Sequence, residues 1–287
     1  MRWIATLLLV LGTLCVAPAQ AQTLVRFKTV LGDFDVQLLD AGAPQTVANF
    51  LAYLAGPDYD ASFIHRSVSS FVIQGGGFAF AAGSFALVPT DPPVVNEFGR
   101  SNLRTTIAMA KLGGDPDSAT SQWFVNLVDN TGLDTNNGGF TVFGDVIGSG
   151  MTVVDSIAAV PTFNATIIHP ALAELPLRDF TAGDLLDPPN QLILITRIGV
   201  LLPGPVSCGD VDDDGSLSSS DRDLLRQHLA DPGGALIPAA GRSKCDVRGS
   251  FDTCDVLDYV ALARSLDGHP EDVQEVCFAA VEAPAAP

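Results

Sequence analysis

Apolar and polar residues alternate along much of the segment from residue 22 to residue 202, which is the pattern of half-buried β-strands. Residues 25–29 and 34–38 alternate on either side of a Leu31-Gly32-Asp33 turn and predict a hairpin. Further strands are predicted at residues 71–74, 106–110, 122–127, 140–147 and 191–202. Two segments have helical spacing, one after Pro44 and one over residues 151–159, which Pro161 ends. Many strands with two unevenly placed helices predict a closed antiparallel barrel rather than a βαβ repeat.

The two ends of the chain differ from this segment and indicate a leader and a second domain. Residues 1–21 combine Arg2, an apolar stretch and Ala19-Gln20-Ala21, which predicts a cleaved signal peptide and an exported protein, either periplasmic or secreted. Cys15 could instead mark a lipoprotein, but Leu14 before it is too large for the usual motif. We expect a first domain at residues 22–202, a Pro/Gly linker at 203–207, a second domain at 208–278 and a disordered tail at 279–287.

Charge narrows the classes of function that the chain can have. The 287 residues include 33 acidic and 15 basic residues, for a formal net charge of −18. Nucleic-acid binding requires clustered Lys and Arg, which the sequence does not contain. After the leader, no segment reaches the roughly 18–20 apolar residues of a membrane-spanning helix. The acidity fits either a solvated surface or specific cation binding.

Three blocks of sequence carry the candidate chemistry. They are Phe63-Ile64-His65-Arg66 with Phe71-Val72-Ile73-Gln74-Gly75-Gly76, then residues 106–126 with Ser121-Gln122-Trp123-Phe124, and finally residues 140–146. In this order and at these separations the blocks resemble the cyclophilin family of peptidyl-prolyl cis-trans isomerases, and most of all its exported bacterial members. The resemblance covers roughly residues 24–200. It implies a mainly β fold, an eight-stranded closed barrel with two helices. It also implies an enzyme that acts on Xaa-Pro bonds of proteins and needs no cofactor for catalysis.

The resemblance also assigns a role to each candidate site residue. Arg66 matches the arginine that lies against the prolyl peptide of the substrate, and Gln74 matches the glutamine that holds that arginine. The remaining candidates contact the proline ring or the peptide backbone, and they are Phe71, Val72, Ala110, Gln122, Phe124, Leu133 and Phe140. A fixed guanidinium could donate a hydrogen bond to the amide nitrogen when the peptide bond is twisted, without any covalent step.

Several positions depart from the family pattern. Val72 replaces the usual Met, which makes the pocket wall smaller. Lys111 stands where many members have Asn, and Phe140 where many have His or Tyr. Gly132 replaces a Trp that helps eukaryotic members to bind cyclosporin. We therefore expect weak cyclosporin inhibition with retained isomerase activity.

Each of these residues has a plainer interpretation when it is taken alone. An isolated arginine is usually a surface residue, the phenylalanines could be ordinary core residues, and we expect His65 to be structural. The alternative function is a non-catalytic module that binds proline-containing segments and is tethered to an extracellular assembly through the C-terminal domain. Because Arg66, Phe71, Gln74 and Phe124 are all present, the enzyme is favoured.

The C-terminal region has the pattern of a calcium-binding loop. Its expected ligands are carboxylate or hydroxyl oxygens. Four lie at alternating positions, Asp210, Asp212, Asp214 and Ser216, and the fifth is Asp221 at the twelfth position, where the usual loop has Glu. Gly215 permits the sharp turn, and Leu224, Leu225 and Leu229 have helical spacing. A degenerate second copy begins at Asp246. Two such units resemble a small α-helical dockerin-like module, which implies structural Ca²⁺ and either a cohesin-like partner or an inert stabilising appendage.

Four cysteines lie in this C-terminal region and none lies elsewhere after the leader: Cys208, Cys245, Cys254 and Cys277. An even number in an exported chain predicts two disulfides. Zinc is the rival, but there is no CxxC pair and the spacing is wrong for a finger or ribbon. Because Cys208 and Cys277 bracket the module and the other two bracket the second loop, those two pairings are favoured over the other connectivities.

Overall fold

Thirteen β-strands and four α-helices run through the residues that the computed structural model describes, which are 22–201, 211, 219–230 and 278–279. The strands are β1 (Leu24–Thr29), β2 (Gly32–Leu38), β3 (Arg66–Val68), β4 (Val72–Gly75), β5 (Phe78–Ala81), β6 (Ser84–Leu87), β7 (Thr106–Met109), β8 (Trp123–Asn126), β9 (Val142–Ile147), β10 (Thr162–Phe163), β11 (Leu175–Pro176), β12 (Ile195–Leu201) and β13 (Phe278–Ala279). The helices are α1 (Pro44–Leu54), α2 (Gly150–Ala158), α3 (Pro188–Gln191) and α4 (Ser219–Ala230). Short 3₁₀ turns occupy Thr131–Asp134, Asn136–Gly138 and Pro170–Leu172.

Nine of these strands form one curled antiparallel sheet of half-barrel shape. Their order is β13-β12-β1-β2-β9-β7-β8-β4-β3, and two separate two-stranded sheets pair β5 with β6 and β10 with β11. The segments that lead into β3 and β12 are also hydrogen-bonded to each other. The N–H of Ile64 donates to the carbonyl of Ile193 at 3.0 Å, and that of Ile195 donates to Ser62 at 2.8 Å.

The concave side of the sheet encloses an aromatic core. Phe27 stacks on Phe34 with ring centroids 4.7 Å apart, and the edge of Trp123 meets Phe27 at 5.1 Å. Helix α1 buries Phe50 against this cluster, and α2 buries Ile157 in the same core. Each aromatic pair adds about 0.5–1.5 kcal/mol beyond its buried area, so the strands that carry the site lie on a rigid base.

Comparison with the expected elements confirms the β1–β2 hairpin, α1 and α2, and corrects several strand ends. Strand β9 begins at Val142 rather than Phe140 because Phe140 instead donates its N–H to Leu133 in a neighbouring loop. Strand β4 begins at Val72 because Phe71 closes a turn onto Val68. Strand β12 starts at Ile195 rather than Gln191, since Gln191 ends the unexpected short helix α3 and Leu192 and Leu194 form only isolated bridges.

Strands β5 and β6 were not expected from the sequence. Residues 76–87 are rich in Gly and Ala, which have little preference for strands. Their turn uses Ala82 and Gly83, both with positive φ, at +50° and +78°. That is the backbone form of a two-residue hairpin.

Much of what the sequence predicts for the two ends of the chain lies outside the described residues. This applies to the signal peptide at 1–21, the linker at 203–207, all four cysteines and the ligands Asp210, Asp212, Asp214 and Ser216. Helix α4 agrees with the helical spacing of Leu224, Leu225 and Leu229. Within the described ranges, no helix is long and apolar enough to cross a membrane.

Candidate active site

One row of side chains crosses four neighbouring strands, on the face of the sheet opposite the aromatic core. The register pairs Arg66 of β3 with Gln74 of β4, and Gln74 with Phe124 of β8. The same register then pairs Phe124 with Ala108 of β7. Because side chains alternate along a strand, Val72 lies on this face beside Gln74, while Ile73 between them points into the core.

A cavity of about 290 Å³ opens over this row. Its lining combines an apolar floor with a polar rim, and consists of Arg66, Phe71, Val72, Gln74, Ala110, Lys111, Phe124, Leu133, Asn136 and Phe140. Val72 and Phe124 are buried, and the rings of Phe124 and Phe140 meet edge to face with centroids 5.8 Å apart. Eight of the nine candidate residues line the cavity, and Gln122 is the one that does not.

The Arg66 guanidinium is held at the rim of the cavity by two hydrogen bonds. Its Nε–H donates to Oε2 of Glu174 at 2.7 Å, and its Nη1–H donates to Oε1 of Gln74 at 3.4 Å. The Cζ atom lies 5.8 Å from the centroid of the Phe71 ring. Gln74 is itself fixed, because its Nε2–H donates to Oε1 of Gln122 at 2.9 Å. Gln122 therefore belongs to the site through Gln74 rather than through the cavity.

His65 lies directly behind this row and is almost completely buried. The pKa of His65 is lowered to about 3, mainly because burial disfavours the charged imidazolium. The positive charge of Arg66 and the nearby His169 lower this pKa further, and a hydrogen bond with Gln122 partly offsets the decrease. The imidazole is therefore neutral at ordinary pH. Its ring packs 5.1 Å from Phe78, which agrees with the structural role expected from the sequence.

The far wall of the cavity comes from a loop that carries Leu133 and Phe140. Asn102, fully buried, donates from its side-chain amide to Oδ1 of Asp134 at 3.1 Å and to the carbonyl of Phe140 at 3.0 Å. The side-chain amide of Asn130 donates to the carbonyl of Phe71 at 2.9 Å. These bonds fix an irregular segment, so the loop wall is as well defined as the strand wall.

Three residues of the site were not among the sequence candidates. Lys111 and Asn136 line the cavity, and Glu174 binds Arg66. The Nζ of Lys111 donates to the carbonyls of Gly139 at 2.5 Å and Pro116 at 3.3 Å. Desolvation lowers the pKa of Lys111, with nearby Asp117 and Asp115 opposing. Lys111 had a sequence signal as a departure from the family pattern, whereas Glu174 had none.

Comparison with known proteins identifies the family. The family model "Cyclophilin type peptidyl-prolyl cis-trans isomerase/CLD" matches residues 24–173, more than half of the chain. A peptidyl-prolyl cis-trans isomerase of Acinetobacter baylyi is 43% identical over 155 residues, which cover 53% of this chain and 80% of that protein. Peptidyl-prolyl cis-trans isomerase A of Dickeya dadantii is 40% identical over 170 residues, which cover 57% and 87%.

A solved structure of a Cryptosporidium parvum cyclophilin-type isomerase, obtained with the dipeptide Ala-Pro, covers 61% of this chain and 96% of its own. It is 22% identical, with a TM-score of 0.46. On the family match and the bacterial relatives, the protein is an isomerase. The chain belongs to the cyclophilin family of peptidyl-prolyl cis-trans isomerases, and the resemblance drawn from the three sequence blocks is confirmed in this respect.

Proposed function

We propose that the cavity catalyses rotation about Xaa-Pro bonds, with Arg66 as the catalytic hydrogen-bond donor. The observation that carries this proposal is a guanidinium fixed on two sides at the rim of an apolar cavity. Among the described residues, none accepts a hydrogen bond from the Nη2 group of Arg66. That group is therefore available to a bound peptide.

The chemistry follows from the electronic structure of the amide. Rotation is opposed by resonance, with a barrier of about 18–20 kcal/mol. In the twisted state the nitrogen lone pair is no longer delocalised and can accept a hydrogen bond. A donor placed there binds the twisted state more tightly than either planar state, which is what accelerates rotation. The apolar walls at Phe71 and Phe124 hold the proline ring and strengthen the donation by lowering the local dielectric.

The experiment measures catalysed cis-to-trans rotation of a test peptide with one Ala-Pro bond. Arg66→Ala is expected to lower kcat/KM by about 100-fold, the size of effect seen when one preorganised donor is removed. Arg26→Ala is the matched control, because Arg26 on β1 forms an ion pair with Asp35 and does not line the cavity. Wild-type levels of activity in Arg66→Ala would refute the role of Arg66. No acceleration by the folded wild type, with the peptide nonetheless bound, would favour the non-catalytic module.

We further propose that the half-barrel closes through the segments before β3 and β12. The hydrogen bonds of Ile64 and Ile195 support this closure, because they join the two sides of the sheet. The amides of these two residues should exchange with solvent as slowly as those of β7. Rapid exchange at both amides would indicate an open sheet.

An exported role outside the cytoplasm is proposed from the sequence pattern of residues 1–21 and from the even number of cysteines after it. Expression of the full chain in a bacterial host should give a mature protein that starts near Gln22, outside the cytoplasm and with two disulfides. Mass spectrometry of the purified protein with and without reduction measures both properties. A product that keeps residues 1–21 would contradict this proposal.

The C-terminal module is proposed to bind structural Ca²⁺. Asp221, in the first turn of α4, is fully buried, and its Oδ1 accepts the N–H of Val211 at 2.7 Å. A buried carboxylate requires compensation by hydrogen bonds or a cation, and a hard oxygen ligand suits Ca²⁺. The residues that would hold the ion are Asp210, Asp212, Asp214, Ser216 and Asp221.

Calcium titration of chelator-treated protein tests this site. Binding should raise Tm and the helical circular dichroism signal, and Asp212→Asn should weaken it. If calorimetry detects no Ca²⁺ binding to the chelator-treated protein, the proposed calcium site is refuted.

A cohesin-like partner that tethers the enzyme is the further part of this proposal. Failure of the calcium-loaded chain to bind purified cohesin domains would count against it.

A further inference from the structure

Glu174 is joined to strand β3 by two hydrogen bonds. Its backbone carbonyl accepts the N–H of Ser67 at 2.9 Å, and its carboxylate accepts the Nε–H of Arg66 at 2.7 Å. It lies just before β11 and 108 residues from Arg66 along the chain. It does not line the cavity, so it contacts the site through Arg66.

We propose that Glu174 is a positioning residue that fixes the catalytic orientation of the Arg66 guanidinium. This inference rests on the proposed role of Arg66 as the hydrogen-bond donor. Arginine has a long flexible side chain whose orientation must be imposed by its contacts. A carboxylate that accepts from Nε fixes the plane of the guanidinium and therefore the direction of the remaining N–H groups.

The three contacts of Arg66 are unequal, and the one with Glu174 is the strongest. The distance of 2.7 Å is that of a charge-assisted hydrogen bond. The bond to Gln74 is long at 3.4 Å. The Phe71 ring, at 5.8 Å, is near the outer limit of about 6 Å for a cation–π contact. Gln74 therefore holds the guanidinium less firmly than Glu174 does.

Packing on both sides holds the backbone of Glu174 in place. Leu172 and Leu175, which flank it, are fully buried in a small apolar cluster with Phe63 and Phe78. Phe63 is only three positions before Arg66 in the chain. The same cluster therefore anchors both partners of the ion pair, and the distance between them is set by the fold.

The ion pair is too exposed to contribute much to stability. The side chains of Arg66 and Glu174 are 32% and 41% exposed, and ion pairs in such positions contribute little to folding because solvent screens them. Loss of the Glu174 side chain should therefore affect rotation of the substrate much more than unfolding. This difference separates a positioning role from a structural one.

The experiment compares Glu174→Ala, Glu174→Gln and a control in the full-length chain. Glu174→Ala should lower kcat about tenfold, equivalent to about 1.4 kcal/mol, with KM within twofold and Tm within about 3 °C. Glu174→Gln keeps an oxygen that accepts from Nε and should retain at least half of the activity. Asp155→Ala is the matched control, since it breaks the Arg104–Asp155 ion pair, which has the same 2.7 Å length and similar exposure. It should leave kcat unchanged.

Two further measurements separate this inference from the proposed function. In an Arg66→Ala background, Glu174→Ala should have no additional effect on the residual rate. The ¹H–¹⁵Nε resonance of Arg66 should be slow to exchange in the wild type and broadened in Glu174→Ala. If Arg66→Ala keeps full activity, the proposed role of Arg66 fails and this inference fails with it. If Arg66→Ala is inactive while Glu174→Ala matches the wild type, or Glu174→Gln loses as much as Glu174→Ala, only the inference about Glu174 is overturned.

Discussion

The buried His65 makes a sharp prediction about acid stability. The folded protein holds the pKa of His65 at about 3, whereas an exposed histidine has a pKa of 6.5. Between these two values the unfolded chain binds a proton that the folded chain does not. The free energy of unfolding therefore falls as the pH decreases below 6.5 and continues to fall until about pH 3.

The size of this effect follows from the two pKa values. Each pH unit between them costs about 1.36 kcal/mol of stability. Lowering the pH from 7.5 to 4.5 should thus remove about 2.7 kcal/mol through His65 alone, which is a large part of the roughly 5–15 kcal/mol of a typical domain. Carboxylates titrate in the same range, so the quantity to measure is the difference between the wild type and His65→Gln, which removes the titrating group.

Urea unfolding at pH 7.5, 6.5, 5.5 and 4.5 tests the prediction. The fluorescence of Trp123, which is fully buried, reports the transition. His65→Gln should be less stable than the wild type at pH 7.5 but should lose less stability on acidification, so the two curves converge by about 2.7 kcal/mol at pH 4.5. Parallel curves over the whole range would refute the reasoning, because they would mean that His65 titrates alike in the folded and unfolded chains.

Three other predictions concern the cavity and its supporting strands. Val72→Met should lower KM for an Ala-Pro peptide several-fold by filling the floor of the cavity, and an unchanged KM would show that position 72 does not contact the ring. The wild type should bind cyclosporin weakly, and Gly132→Trp should strengthen inhibition because a Cβ there meets no atom within 4 Å; a submicromolar inhibition constant for the wild type would contradict this. Gly76→Ala should lower the free energy of unfolding by about 1–3 kcal/mol, since φ is +75° and the added Cβ would clash with the Ser121 carbonyl. Gly113→Ala is the control and should change the free energy of unfolding little, because its Cβ meets no atom within 4 Å.

The strand-borne part of the site could be predicted from the sequence because alternation fixes the face of each residue. Once β4 and β8 are recognised, Val72, Gln74 and Phe124 must share one face, and the register then brings them together. The order and spacing of the three sequence blocks then assigned a role to each of these residues. Even Gln122, which does not line the cavity, is connected to it through Gln74.

Glu174 could not be predicted in this way. It lies between the 3₁₀ turn Pro170–Leu172 and the two-residue strand β11, elements too short to show helical or strand spacing in the sequence. Its partner is 108 residues away, and only the packing of Leu172 and Leu175 brings it to Arg66. The predicted starts of β4 and β9 were early by one and two residues for a more local reason. Phe71 donates its N–H to Val68 in a turn and Phe140 donates to Leu133 in a neighbouring loop, and alternation alone does not reveal such bonds.

The alternation along β4 and β8 has a consequence for how such a protein can change over time. Ile73 and Val125 face the core, while Val72, Gln74 and Phe124 face the cavity. A random substitution at one of these positions therefore tends to alter either folding or substrate choice. Lineages could explore new peptide preferences at the outward positions while the inward ones preserve the scaffold, and a directed library that varies only alternate codons would exploit the same separation.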